Sequence, residues 1–384
     1  MNFEFFAPSR IIFGAGKSQL LGVLSHPFGQ RVCVVTGSHE SRYQHLIEII
    51  QSDHSAVSVF SVSGEPTVEV IQEAARRARL FEPDCVIGIG GGSALDTGKA
   101  VSALLTNPGD LIEYLEVIGN GKALIHPTTP YIAVPTTAGT GTEVTQNAVI
   151  KSESHQVKVS LRSPHMVPDI VLVDPVLTHS VPPSVTASTG LDTLTQLIEP
   201  YVSNHANPMT DSLALKGLEC VARSLERAFQ NGEDAPARED MALASLFGGL
   251  ALANAKLGAV HGIAGPLGGM CPVPHGIACA CLLPHVVAEN VRTLMQTEHG
   301  LGIFARFQTI ARILTDRHDA EPEEAVEWIR SITKSLKIPP LSEFGMTESM
   351  IPALVENAQH ASSMKGNPVK LSDEQISEVI MKSI

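Results

Sequence analysis

The chain has 384 residues, more than one hydrophobic core usually serves, so two domains are expected. Apolar residues make up 43% and charged residues 17%, which excludes global disorder. The net charge of −13 excludes a broad electrostatic grip on nucleic acid or anionic membrane, although backbone donors can still bind a small anion locally.

Taken in chain order, Met1 to Arg10 lacks the basic start and apolar core of a leader peptide. No stretch reaches the roughly 18–20 unbroken apolar residues that span a bilayer. The β-branched run Arg31-Val32-Cys33-Val34-Val35-Thr36 before Gly37 predicts a buried strand. Apolar residues at 68, 71, 74, 75 and 78 predict an amphipathic helix over 67–81, after the turn Gly64-Glu65-Pro66. Further buried strands are expected at 85–89, 131–135 and 170–174. Strands of this kind separated by helices imply a mostly parallel sheet with helices on both faces. Beyond about residue 183 the β-branched runs stop, and helical patterns such as 209–229 and 238–256 take over. The expected organisation is an α/β domain over 1–180 followed by an all-α domain over 181–384.

Two loops at predicted strand ends carry chemistry. Gly90-Gly91-Gly92-Ser93 leads into a helix expected to start at Ala94, so its backbone can approach a phosphate that the free helix N–H groups then bind. The alternative is a tight strand-to-helix turn without ligand. Pro135-Thr136-Thr137-Ala138-Gly139-Thr140-Gly141-Thr142-Glu143 is rich in hydroxyls and suits a polar ligand, or else a hydroxyl-capped helix entry.

Fifteen histidines against one Trp and four Tyr prompt a search for metal ligands. Asp192 and Gln196 stand at i, i+4 and so share a helix face. His261 and His275 are each followed by glycine among apolar neighbours, a setting for either a satisfied core histidine or a ligand. The six cysteines form no CxxC pair, which fits reduced thiols of a cytoplasmic protein.

In order and spacing, these segments resemble the iron-containing (group III) alcohol dehydrogenases nearly end to end. The resemblance runs from Pro8-Ser9-Arg10-Ile11-Ile12-Phe13-Gly14-Ala15-Gly16 through Gly90 to Ser93 with Asp96 and Lys99, and on through Pro135 to Thr145. It continues through Pro168-Asp169 with Asp174-Pro175, Gly190-Leu191-Asp192 and the two His segments to Asn367-Pro368. It implies an N-terminal dinucleotide-binding domain and a C-terminal helical domain, with substrate and a divalent metal, iron or zinc, in the cleft between them. Asp192, His261 and His275 fall on three of the family's four metal-ligand positions and are the expected catalytic residues. The fourth position, normally histidine, holds Gln196, a neutral oxygen donor in place of an imidazole nitrogen. Gly265 stands where many members carry a histidine proposed to relay protons, so water or the nicotinamide ribose hydroxyl would have to serve.

By the same resemblance Gly90, Gly91, Gly92, Ser93 and Asp96 would bind the dinucleotide, and Thr136, Thr137 and Lys158 would position its ribose and nicotinamide. At the end of the first strand Gly37 replaces the carboxylate that would grip a ribose and repel a 2′-phosphate. Gly37 with Ser38, His39 and Arg42 therefore points to NADP(H), with NAD(H) as the alternative. The expected activity is hydride transfer between a nicotinamide cofactor and a small alcohol, aldehyde or ketone. Neither nucleic acid nor membrane is expected as a partner, and a homo-oligomer, in the simplest case a dimer, is. Two other readings remain: an NAD-assisted lyase or synthase similar to dehydroquinate synthases, toward which Gln196 points, and a metal-free nucleotide-binding protein without catalysis, which Gln196 and Gly265 allow.

Overall fold

The computed structural model describes residues 2–296 and 301–384. The chain divides into two compact units: Ala7–His179, and Ser180–Ile384 together with the segment ending at Phe6.

The first unit contains, in order, β1 (Arg10–Phe13), α1 (Leu21–Ser25), β2 (Arg31–Gly37), α2 (Gln44–Asp53), β3 (Ala56–Val62), α3 (Val68–Phe81), β4 (Cys85–Gly90), α4 (Gly92–Thr106), α5 (Leu111–Tyr114), β5 (Tyr131–Pro135), β6 (Asn147–Ser152), β7 (Val157–Arg162) and β8 (Ile170–Val173). Six strands form one sheet in the order β1-β8-β5-β4-β2-β3, and every neighbouring pair is parallel. The inner strands are buried along their length, and Val34, Ile87, Ile132 and Leu172 meet Leu46 and Ile50 of α2 in one core. This is why they read as continuous apolar runs.

The chain steps outward from β2 to β3 and then returns to place β4 on the other side of β2. A reversal of that kind opens a crevice beyond the carboxyl ends of the two strands. Gly37 ends β2 and Gly90 ends β4, so both lie at that opening.

The parallel sheet followed by helices is the fold class expected from sequence. Four strands lay outside the expectation: β1, β3 and the antiparallel pair β6–β7. Strand β3 lies at the sheet edge and is only half-buried, so it lacks the unbroken apolar run of the inner strands. Helix α4 begins at Gly92, two residues before the expected Ala94, because the turn is already complete at Gly91.

The second unit is built from α6 (Pro183–Val202), α7 (Pro208–Gln230), α8 (Ala235–Ala255), α9 (Ala259–Met270), α10 (His275–Leu294), α11 (Leu301–Thr315), α12 (Pro322–Ser335), α13 (Ile351–His360) and α14 (Asp373–Met381). Helix α7 starts where the Asn207 side chain accepts from the backbone N–H groups of Met209 and Thr210, with Pro208 at the first position. Helix α6 packs against α7, α8 and α10 and is buried on every side from Gly190 to Val202. A helix enclosed in this way can hold polar residues only if they find partners or a ligand. By length and composition α10 could cross a bilayer, yet 72% of its apolar window is buried within the unit, as in a core helix.

Candidate functional site

In the α/β unit, three of the loop segments marked by the sequence come together at the strand ends. Gly90 has φ +156°, and a Cβ added there would lie 2.7 Å from the Ala94 Cβ and 3.4 Å from the Gly37 backbone nitrogen. Glycine is thus required both by the turn and by the close approach of Ala94 at the start of α4. A Cβ on Gly91 would meet Thr137 at 3.3 Å, and one on Gly92 would meet Thr140 at 2.9 Å. The Thr136 N–H donates to the Gly90 carbonyl at 2.9 Å, tying the two loops directly. The Thr136 hydroxyl is buried 3.3 Å from the Tyr43 hydroxyl, while Thr137 is half-buried. No side chain caps α4, whose N-cap is Gly91. Ser38 and His39 are exposed just after Gly37, and the Arg42 guanidinium lies 5.9 Å from the Tyr43 ring. Lys158 sits on β7 and pairs with Glu65 at 2.5 Å.

Asp96 and Lys99 lie behind this surface and not on it. Lys99 is fully buried, and its ammonium donates to the carbonyls of Thr142, Thr145 and Asn147 at 2.7–3.1 Å and contacts the hydroxyls of Thr142 and Thr145 at 3.1 Å. Asp96 accepts from the Thr142 hydroxyl and from the Val149 N–H, with the Lys99 ammonium 3.9 Å away. Burial brings Lys99 down to about 8 against the pull of Asp96 and Glu143, and pushes Glu143 up to about 7. The threonine loop is thus pinned from beneath by one lysine.

In the helical unit, side chains from three helices converge. Asp192 of α6, His261 of α9, and His275 and Cys279 of α10 each offer one donor atom, all within 4.8 Å of one another. His261 Nε2 lies 3.4 Å and His275 Nε2 3.8 Å from Asp192 Oδ1. Cys279 Sγ lies 3.6 Å from His275 Nε2 and 3.9 Å from His261 Nε2. Asp192 is 2% exposed, and its Oδ1 accepts no hydrogen bond of ordinary geometry. A buried carboxylate oxygen facing two imidazoles and a thiol, with no bond made, suits a cation at the centre. Gln196 is buried one turn beyond Asp192 on the same helix.

Two residues missed by sequence reasoning hold this cluster in place. Glu199, two turns beyond Asp192, accepts from His261 Nδ1 at 2.7 Å through Oε2 and from the Val260 N–H at 2.6 Å through Oε1. With Nδ1 donating to Glu199, Nε2 is the ring nitrogen left facing Asp192 and the centre, free to ligate a cation once its proton is lost. Burial works against charge on His261, yet Cys279, Asp192 and Glu199 together hold it well above the usual histidine range. The pocket therefore favours positive charge. Asn367, noticed only within the Asn-Pro motif, accepts from the Ala259 N–H at 3.1 Å and from Asn290 at 3.1 Å. Together Glu199 and Asn367 satisfy the bare start of α9, and a Cβ on Gly258 would crowd both at 2.9–3.0 Å. Glu199 was detectable from its i, i+7 spacing to Asp192. By contrast, a Cβ on Gly265 meets nothing within 4 Å, so the helix face one turn beyond His261 is open.

Known proteins are similar to this chain along its whole length. Residues 8–175 match the family profile described as iron-containing alcohol dehydrogenase. Residues 186–384 match the profile of the C-terminal region of the Fe-containing alcohol dehydrogenase family. Alcohol dehydrogenase 4 of Saccharomyces cerevisiae is 36% identical over 343 residues, 89% of this chain and 86% of the relative. The 1,3-propanediol dehydrogenase of Klebsiella pneumoniae is 31% identical over 394 residues, covering 100% of this chain and 97% of its own length. Among solved structures, a 1,3-propanediol oxidoreductase superposes with a TM-score of 0.92 at 30% identity, covering 100% of both chains.

Proposed function

The chain belongs to the iron-containing alcohol dehydrogenase family, and from that premise we propose which of its residues hold the nicotinamide cofactor and the divalent metal that the family uses. It is an oxidoreductase acting between alcohols and aldehydes; the relatives described above are dehydrogenases, and the lyase reading is not favoured. Asp192, His261 and His275 are the proposed metal ligands, with Gln196 approaching as a neutral carbonyl donor from the turn after Asp192. The observation that carries this is the buried, unbonded Asp192 Oδ1 facing two imidazole nitrogens. A divalent ion held there would polarise the substrate oxygen, and the nicotinamide would carry the hydride.

Everything else falls to the chain. Gly90, Gly91, Gly92 and Ser93 bring the backbone close to the pyrophosphate, and the uncapped start of α4 binds it through N–H groups. Thr136, Thr137 and Lys158 position the ribose and nicotinamide. Asp96 acts from beneath, through the Thr142 hydroxyl. Glu199 fixes the ring of His261. With a glycine at 265, the substrate proton passes to water or to the ribose hydroxyl.

NADP(H) is the proposed cofactor, because Gly37 leaves room for a 2′-phosphate that Ser38, His39 or Arg42 can meet. NAD(H) has one observation in its favour. Glu40, three residues past Gly37, accepts from Ser61 at the end of β3 at 3.2 Å, and a carboxylate there can grip ribose hydroxyls. Assembly as a homodimer and residence in the cytoplasm complete the proposal; the six cysteines are all free and buried, as in a reducing compartment.

A single experiment tests the whole reading: an alcohol and aldehyde panel run with NADPH and NADH, on chelated protein and after adding back zinc or iron. Activity should vanish on chelation, return with metal, and show a KM lower by about tenfold or more for the phosphorylated cofactor, a difference of roughly 1.4 kcal/mol. Full activity in metal-free protein would refute the ligand assignment and leave the loop assignment standing. An equal or lower KM for NADH would transfer the cofactor assignment to Glu40.

A further inference from the structure

Three side chains, not two, face the unbonded Asp192 oxygen, and the third is a thiol that the family's ligand pattern does not include. Cys279 follows His275 by four residues, so α10 projects both from one face. Its side chain is fully buried, and its sulfur lies against both imidazole nitrogens.

The distances are those at which the thiol and its neighbours could share one ion. A tetrahedral zinc-like ion, about 2.0–2.2 Å from nitrogen and oxygen and about 2.3 Å from sulfur, sets N···S edges near 3.6 Å and N···O edges near 3.4 Å. The observed N···S edges are 3.6 and 3.9 Å. The observed N···O edges are 3.4 and 3.8 Å. All four edges fall at or slightly above the ideal, as expected of a donor cage drawn around one centre. The neutral Gln196 carbonyl, standing where the family has an imidazole, leaves the site in want of an anionic or strongly basic donor. A thiolate is both anionic and soft.

We propose that Cys279 is a ligand of the metal ion, completing with Asp192, His261 and His275 a donor set of one carboxylate, two imidazoles and one thiolate. This rests on the metal reading of the preceding section. On loading, the S–H bond gives its proton to solvent and the sulfur lone pair forms the bond to the ion; no electron is transferred. A sulfur donor moves the preference of the site from iron toward zinc.

Cobalt(II) substituted into the full-length protein reads the sulfur directly, because a bound thiolate gives a near-ultraviolet charge-transfer band that oxygen and nitrogen donors do not. The wild type should bind about one cobalt per chain and show the band. Gln196→Ala should keep it. Cys279→Ser should lose it while still binding cobalt through the other three donors, and its zinc affinity in a competing chelator should fall by at least about tenfold. Stoichiometric cobalt without the band in the wild type overturns the proposal and leaves the metal reading intact. A band that survives in Cys279→Ser assigns the sulfur elsewhere and also overturns it. No cobalt or zinc bound by the wild type is a different failure, that of the metal reading itself.

Discussion

Each unit of this protein buries a cluster of oppositely inclined charges, and the two clusters are resolved in opposite ways. Beneath the threonine loop, the positive charge is part of the chain: Lys99 is enclosed by three carbonyls and two hydroxyls, with Asp96 and Glu143 as its counter-charges. In the helical unit a carboxylate, two imidazoles and a thiol face a common centre, and one carboxylate oxygen is left without a hydrogen bond. A satisfied buried charge holds structure together, whereas an unsatisfied one reserves a place for something that binds. The comparison separates two sets of residues that family resemblance alone marks equally.

Removing the internal cation should break the first cluster most severely. Lys99→Met keeps the length of the side chain but strands five acceptors and two buried carboxyl groups. Breaking a buried pair by deleting one partner costs about 3–5 kcal/mol, so the denaturant midpoint of the α/β unit should fall accordingly. Metal content of the helical unit should not change. A loss below about 1 kcal/mol would mean that the loop is held by its own backbone bonds, and the contrast between the clusters would fail.

A smaller effect, on the order of 3 kcal/mol, is expected in the pH dependence of the same cluster. Burial, eased by Lys99 and reinforced by Asp96, holds Glu143 at about 7 against 4.5 in the ordinary state. Between those values the folded chain keeps a proton that the unfolded chain has released. This contribution to stability is complete below about 4.5 and disappears as the pH rises through 7. Lys99, held at about 8 against 10.5, acts in the opposite sense: the unfolded chain binds the extra proton, so stability rises with pH across that window. The wild type should thus be least stable between about pH 7 and 8. In Glu143→Gln the descending limb below neutrality should shrink to what Asp96, raised by the same burial, still contributes. Urea unfolding at stepped pH measures both limbs, and an unchanged lower limb in the variant would remove Glu143 from the account.

How much of this was legible in the sequence differs between the units for a physical reason. The buried strands are local objects, and a run such as Cys85-Val86-Ile87-Gly88-Ile89 declares itself without reference to any other residue. The edge strand β3 and the hairpin β6–β7 do not, because half-exposed strands mix polar with apolar residues. The glycine loop was readable because close backbone approach demands glycine wherever it occurs. The donor cluster has no such local signature, since it is assembled from three helices over more than eighty positions of sequence. Resemblance to a family supplied Asp192, His261 and His275. It could not supply Cys279, which departs from the family's ligand pattern, although the i, i+4 spacing to His275 was there to be seen. The role of Glu199 needed the fold, because its partner His261 lies sixty-two residues away.

Glu199 also sharpens the comparison at its finest scale, since it is a satisfied charge that serves the unsatisfied cluster. Its two oxygens are both engaged, one by His261 Nδ1 and the other by the Val260 N–H at the start of α9. Glu199→Gln keeps the shape of the side chain but only one of the two contacts, because its amide oxygen accepts from one donor while its NH2 faces the other, and it removes the negative charge that makes the far nitrogen of His261 a better donor. Carboxylates in this position typically change metal affinity by about 10–100-fold. Zinc affinity should therefore drop within that range, with a stability loss on the order of 1–3 kcal/mol from the one buried donor left unpaired. Glu199→Ala, which also frees the ring to turn and leaves the helix start unbonded, should lose more affinity and more stability. If the two variants bind zinc equally weakly, charge rather than orientation is what Glu199 provides to the site. If neither differs from the wild type, His261 holds its geometry without help, and the rule that a satisfied charge supports the open one does not apply here.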